Sequence, residues 1–342
     1  MDLLASPEQL EIAASAAAFL AARWPTTRTR ALIHEPVNID GVAWAEAAGL
    51  GWFSLGLPES AGGVGCGLAD EASLFREIGR SLACGPFLAT VLGARVAAFG
   101  GRPDLAARII AGSAVVGLVV PDPGAEVDGS EVSGRLELLD ATDAELVLVA
   151  GPARASLLAM ADLGATTPVG CLDPTTRLVR VEVAGVAPVV SVSSQVDPVE
   201  RRGQVLLAAL DTGLAEATRD VAAGHAKNRV QFDRPIGVNQ AVKHPCADMA
   251  VQAELAWAQT LVAALSVDED REDAELQALT ARVVAGHAAE GNAAATVQVL
   301  GGMGFTFEHD ANLFVKRAYV LGHAFGGERD VLSRLIELPA AV

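Results

Sequence analysis

The hydrophobic pattern changes period twice along the chain. Up to about residue 112, apolar residues recur at helical spacing. Ser6-Pro7-Glu8-Gln9 opens the first helix: Ser6 can cap it, Pro7 suits the first turn, and Gln9 completes a capping box. Further helices are predicted over 40–49, 68–82, 86–99 and 103–111, with Trp44 and Leu50 facing inward by spacing. The glycine-rich stretch Leu55–Gly67 reads as a tight connection. From about 113 to 197 the pattern becomes short β-branched runs (114–120, 132–138, 146–150, 156–160, 168–171, 178–183) divided by Gly, Pro and Asp. Such punctuation predicts an antiparallel barrel or sandwich rather than βαβ units. From Pro198 the helical period returns, in long helices over 199–227, 239–266 and 272–300 and shorter ones over 310–321 and 328–338. Long helices with short connections make a bundle. The expected architecture is α+β in three units: an N-terminal helical domain (1–112), a middle β-domain (113–197) and a C-terminal four-helix bundle (198–342).

Composition narrows the function. A net charge of −17 argues against a nucleic-acid binder, which needs a basic stripe, and against docking on an anionic membrane. No run approaches the ~20 unbroken apolar residues of a membrane helix. Met1-Asp2 and Glu8 stand where a signal peptide is basic. Cys66, Cys84, Cys171 and Cys246 lack metal or redox spacing, which predicts reduced thiols in a cytoplasmic protein. His225, His287 and His323 have no ligand partner at i+4, and Asp268–Asp273 lacks the glycine of a calcium loop, so no metal is expected.

Two segments carry candidate chemistry. Arg229-Val-Gln-Phe-Asp-Arg-Pro-Ile-Gly237 places a cation, a carboxamide and an aromatic ring within four residues. Arg229 can fork onto a phosphate, Gln231 can hydrogen-bond and Phe232 can cover a flat ring. Pro235 and Gly237 are expected to end the preceding helix and begin a turn. Roughly seventy residues on, Gln298-Val-Leu-Gly-Gly-Met-Gly-Phe305 offers two adjacent glycines, Gly301 and Gly302, beside which a ligand or another backbone can come close.

Together with the helical–β–helical order, these motifs resemble the acyl-CoA dehydrogenase family. So do Leu55-Gly-Leu-Pro-Glu-x-x-Gly-Gly-x-Gly and the helix ending Glu-Ile-Gly-Arg-Ser-Leu82. The resemblance covers nearly the whole chain. It implies FAD as cofactor, an acyl-CoA substrate and an electron-transferring flavoprotein as acceptor. A carboxylate would remove the α-proton while the β-hydride passes to the flavin. By the same resemblance, Arg229, Gln231 and Phe232 contact the FAD of a neighbouring subunit, and Gln298, Gly301 and Gly302 hold its adenosine–pyrophosphate part.

The sequence departs from that pattern where the chemistry is done. The glutamate that many members carry late in the last domain falls on Gly326, and the alternative base position, on the helix before Arg229, falls near Gly203. Glu328, Glu200 and Glu216 are the nearby carboxylates, with Asp211 a further candidate. The segment Val120–Asp128 matches the family only in part, and 134–143 lacks the aromatic residue that usually touches the flavin. These losses resemble the short subunits of bacterial α2β2 acyl-CoA dehydrogenases, known from actinobacterial steroid side-chain degradation. The expectation is a subunit without its own base that shares FAD with a homologous partner. Its rivals are a self-sufficient homotetramer, a flavin monooxygenase or oxidase of the same fold, and a structural partner without cofactor.

Overall fold

The computed structural model describes residues 3–35, 39–127 and 130–338; Met1, Asp2 and Asp128 of the segments above lie outside them. Six helices come first: α1 (Pro7–Arg23), α2 (Thr26–Leu32), α3 (Gly41–Gly49), α4 (Leu68–Arg80), α5 (Phe87–Phe99) and α6 (Pro103–Ile110). The capping box at Ser6 and Gln9 forms as predicted. Trp44 is buried, but Leu50 is exposed, because α3 ends at Gly49 and the chain turns before Leu50 can continue its face. The sequence pattern did not mark α2, a short helix without a side-chain cap.

Strands β1 (Val116–Pro121), β2 (Val132–Leu139), β3 (Leu146–Ala150), β4 (Arg154–Ala159), β5 (Thr167–Val169), β6 (Leu178–Val186) and β7 (Val190–Ser193) form one sheet in the order β5-β6-β2-β1-β3-β4-β7. Its neighbours pair antiparallel except β1 and β3, which run parallel. Both faces are buried. Val116, Leu118, Leu146, Leu148 and Leu157 join the main core with the helices, whereas Val119, Val147, Val149 and Leu158 join a second core with Leu136, Leu138 and Val181. Two buried faces explain the continuous apolar run of β1. On the helical side, α5 comes close at Gly93, where a β-carbon would lie 2.9 Å from Val116 Cγ2.

The remaining helices are α7 (Val199–Asn228), α8 (Gln240–Asp268), α9 (Ala274–Leu300), α10 (Ala311–Leu321) and α11 (Glu328–Glu337). Helices α7 to α10 pack into the bundle, and α4 lies across α7. At that crossing a β-carbon on Gly213 would stand 2.0 Å from the Arg76 carbonyl oxygen, and one on Gly79 2.1 Å from that of Leu210. The two backbones therefore touch without intervening side chains. Helix α8 has the length and mean hydropathy (1.2) of a membrane-crossing helix, with 44% of that stretch buried inside the chain. Requiring unbroken apolar residues had passed it over. Met249, Ala253, Ala256, Leu261 and Ala264 are among its buried positions, while Val251 and Leu255 stay exposed.

Candidate functional site

Helix α7 ends at Asn228, one residue past the predicted 227, and the chain reverses at once. Arg229 is extended and its N–H closes the helix on the His225 carbonyl at 2.8 Å. Strands β8 (Val230–Gln231) and β9 (Arg234–Pro235) then pair as a two-residue hairpin. Its turn residues, Phe232 and Asp233, have φ of +52° and +59°, the left-handed geometry that such hairpins normally give to Asn-Gly. A bulky aromatic held there stores strain. Phe232 is also 95% exposed. Gly237 seats the hairpin on α7: a β-carbon there would be 2.8 Å from the Ala226 carbonyl oxygen.

Arg229 is exposed and, among the described residues, its guanidinium has no hydrogen-bond or ion-pair partner. Gln231 turns its amide onto the Val230 carbonyl at 2.8 Å. The second motif lies where α9 ends. Gly301 takes φ +63° and ψ −138°, and a short 3-10 turn runs to Phe305. A β-carbon on Gly301 or Gly302 would meet nothing within 4 Å. Their backbone thus faces open space. Beside the turn, Gln298, Phe305, Phe307, Asn312 and Lys316 line an open groove, with Phe305 and Phe307 strongly exposed. Lys316 sits 4.9 Å over the Phe307 ring. The structure brings the two motifs to one end of the bundle. Burial, then Arg229, then His309 from the loop after Phe305 hold His225 below its ordinary range. Unpaired cation, exposed aromatics, carboxamide and open glycine backbone form a donor set that fits a phosphate-bearing aromatic nucleotide.

The base positions look different. A β-carbon on Gly203 would lie 2.8 Å from Phe325 Cε2, and Gly326, at φ +95°, follows Phe325 directly. Neither offers a carboxylate, and the nearby acids are engaged. Glu216 is buried and bound by Arg76 at 2.5 Å and Arg80 at 2.9 Å. Buried Glu200 is held by Arg334 at 2.8 Å and by Gln204 at 2.7 Å. Asp211 is buried at 3.0 Å from Arg282, and desolvation pushes its carboxyl up to about 7 against that attraction. Glu328 is exposed, 2.6 Å from His287 Nε2. Sequence reasoning quoted Phe305 as the end of the glycine motif without giving it a role and missed Phe307, whose only signal is its alternation with Phe305. It also missed Phe325, which reads as one more core aromatic. No cluster of His, Cys, Asp and Glu able to hold a metal occurs among the described residues.

Comparison with known proteins follows the same outline. Residues 6–114 match the family model for the acyl-CoA dehydrogenase N-terminal domain, and residues 201–337 match that for the C-terminal domain. The chain is 34% identical to acyl-CoA dehydrogenase IpdE2 of Mycobacterium tuberculosis over 84% of its own length and 82% of that protein. It is 34% identical to acyl-CoA dehydrogenase FadE34 of the same organism over 87% of its own length, and the match spans 42% of FadE34. Among solved structures, the ChsE4–ChsE5 complex from M. tuberculosis contains a chain that superposes with a TM-score of 0.87 at 25% identity, covering 99% of this chain and 100% of that one.

Proposed function

Since matches at both ends and a near full-length relative at 34% identity make this chain a member of the acyl-CoA dehydrogenase family, we propose that it is one subunit of an FAD-dependent acyl-CoA dehydrogenase whose active site is completed by a homologous partner. The reaction is α,β-dehydrogenation of an acyl-CoA thioester carrying a fatty acyl or steroid side-chain group. The assembly works in the cytoplasm and passes electrons to an electron-transferring flavoprotein. One observation carries the reading. The residues suited to grip a nucleotide are present and exposed, with the Arg229 guanidinium unpaired among the described residues, whereas the positions matched to the proton-abstracting carboxylate fall on or near glycine, at 326 and 203.

FAD, when bound, supplies the hydride acceptor. Arg229 would fork onto its diphosphate, and Phe232 and Gln231 would contact it from the hairpin. Gln298 and the Gly301–Gly302 backbone would hold the adenosine–pyrophosphate end. A base must reach the substrate's α-proton directly, and Glu216, Glu200 and Asp211 are buried and committed to arginines. The partner therefore provides the carboxylate. The ChsE4–ChsE5 complex, one chain of which superposes on this one, supports a partner chain. The exposed Val251 and Leu255 of α8, together with Phe232, Phe305 and Phe307, are apolar surface that such a chain would cover.

The test is to purify the chain alone and together with homologous acyl-CoA dehydrogenase chains encoded beside it. Flavin absorbance and acyl-CoA-dependent dye reduction are expected only in the complex. Full flavin occupancy with turnover by the chain alone would defeat the proposal.

A further inference from the structure

Phe325 stands between the two positions at which a base is missing. Its ring edge reaches the place a side chain on Gly203 would fill: a β-carbon there would lie 2.8 Å from Cε2, 2.9 Å from Cζ and 3.1 Å from Leu92 Cδ1 of α5. The ring is thus wedged between α5 and α7. Phe325 is 8% exposed and part of the main core. Its backbone has φ of +54°, which is costly for a bulky residue. A buried polar chain holds it there. Gln204 Nε2 donates to the Phe325 carbonyl at 3.2 Å and to Glu200 at 2.7 Å, and Arg334 clamps Glu200 at 2.8 Å.

A base at 326 or at 203 has to reach the substrate's α-carbon. From either position the reacting carbon would stand beside this ring, where the space is already filled. The cavity lined by Phe87, Leu88, Leu118, Leu210, Leu214 and Ala324, the residue before Phe325, holds about 80 Å³. Ligand pockets are typically ~300–1,000 Å³, so it has no room for an acyl chain.

We propose that Phe325 is a plug that closes this chain's own acyl-thioester pocket and so excludes substrate from this subunit. The inference rests on the heteromeric reading above and deepens it by assigning acyl binding to the partner alone. Strain at Phe325 is then the cost of holding the ring in the groove, and Gly203 is the notch that receives it.

The test titrates octanoyl-CoA and CoA into the purified chain and into Phe325→Ala by calorimetry. For the wild type, the two ligands are expected to bind equally within twofold. For Phe325→Ala, octanoyl-CoA should bind at least tenfold tighter than CoA. A tenfold preference for octanoyl-CoA in the wild type overturns the plug, as does a folded Phe325→Ala without that preference. A second arm does not depend on that variant folding. Leucine lacks the Cε2 and Cζ atoms that crowd position 203, so Gly203→Ala should lower Tm in the wild type and much less in Phe325→Leu. Equal losses in both backgrounds would overturn the wedge. Partner-dependent flavin retention combined with acyl binding to the isolated chain defeats only the plug. Absence of flavin with every partner, without acyl binding here, defeats only the heteromeric reading.

Discussion

Phe232 combines two costs in one residue, a left-handed backbone and a solvent-exposed ring. Folding gains nothing from either, and on the proposed reading the ring is kept for a contact with the flavin nucleotide in the assembly. Phe232→Gly relieves the backbone and adds unfolded-state entropy, and these effects nearly cancel. Its expected outcome is a change in stability below about 1 kcal/mol, read from urea midpoints, with a clear loss of flavin from the partnered complex. A large stability loss would mean that the ring packs within this chain instead. Asp211 makes the opposite case, a charge hidden in the bundle. Its folded-state carboxyl keeps a proton up to about 7, against an ordinary 3.8. Between those values the native state binds more protons than the unfolded chain, so stability falls as pH rises and levels off above about 7. Asp211→Asn removes that titration. The stability of the wild type relative to the variant should fall by up to about 4 kcal/mol from pH 4 to 7. Parallel pH profiles for the two proteins would show that Asp211 does not titrate in this range.

At the scale of elements, the α4–α7 crossing sets how near the first helical unit comes to the bundle. Gly79 and Gly213 let the two backbones touch, and Glu216 with Arg76 and Arg80 ties the same helices one turn on. Alanine at 213 would press a methyl group into a carbonyl oxygen that cannot rotate away. Gly213→Ala is therefore expected to cost about 3 kcal/mol or more, despite alanine's better helix propensity. Thermal unfolding followed by circular dichroism measures it, and an unchanged or raised Tm would contradict the close approach. The helices themselves were legible because their apolar stripes are long and periodic. Helix α2 and strand β7 were not, since a seven-residue helix and a four-residue strand complete too few periods to stand out. The parallel pairing of β1 with β3 was equally hidden, because strand direction depends on the path of the connection rather than on residue alternation.

Across the whole molecule, Arg317 on α10 joins all three parts of the chain. It pairs with Asp173 and donates to the Thr175 hydroxyl at 2.5 Å in the loop before β6. It also reaches the Ala83 carbonyl at 3.0 Å in the first helical unit. The paired carboxylate lies well below its ordinary range despite burial, because the guanidinium holds it ionised. Arg317→Met would leave Asp173 buried without its cation, a loss of about 3–5 kcal/mol. Calorimetry should show the main transition lowered by about 5–10 °C. A shift under 2 °C would mean that the three parts hold together without this tie.

The sequence by itself determined the order helical, β, helical and the family, because periodicity and short motifs are local properties of the chain. It also singled out the residues proposed to hold the nucleotide, and showed glycine at 326 and 203. Only the tertiary structure decided what those residues do not touch. Arg229 and Phe232 are free because the hairpin projects from the bundle, and Gly301 opens outward because α9 ends at the surface. Likewise, Phe325 closes a groove only because α5, α7 and the turn before α11 meet around it. Such facts depend on residues more than a hundred positions apart, and no local pattern encodes that distance.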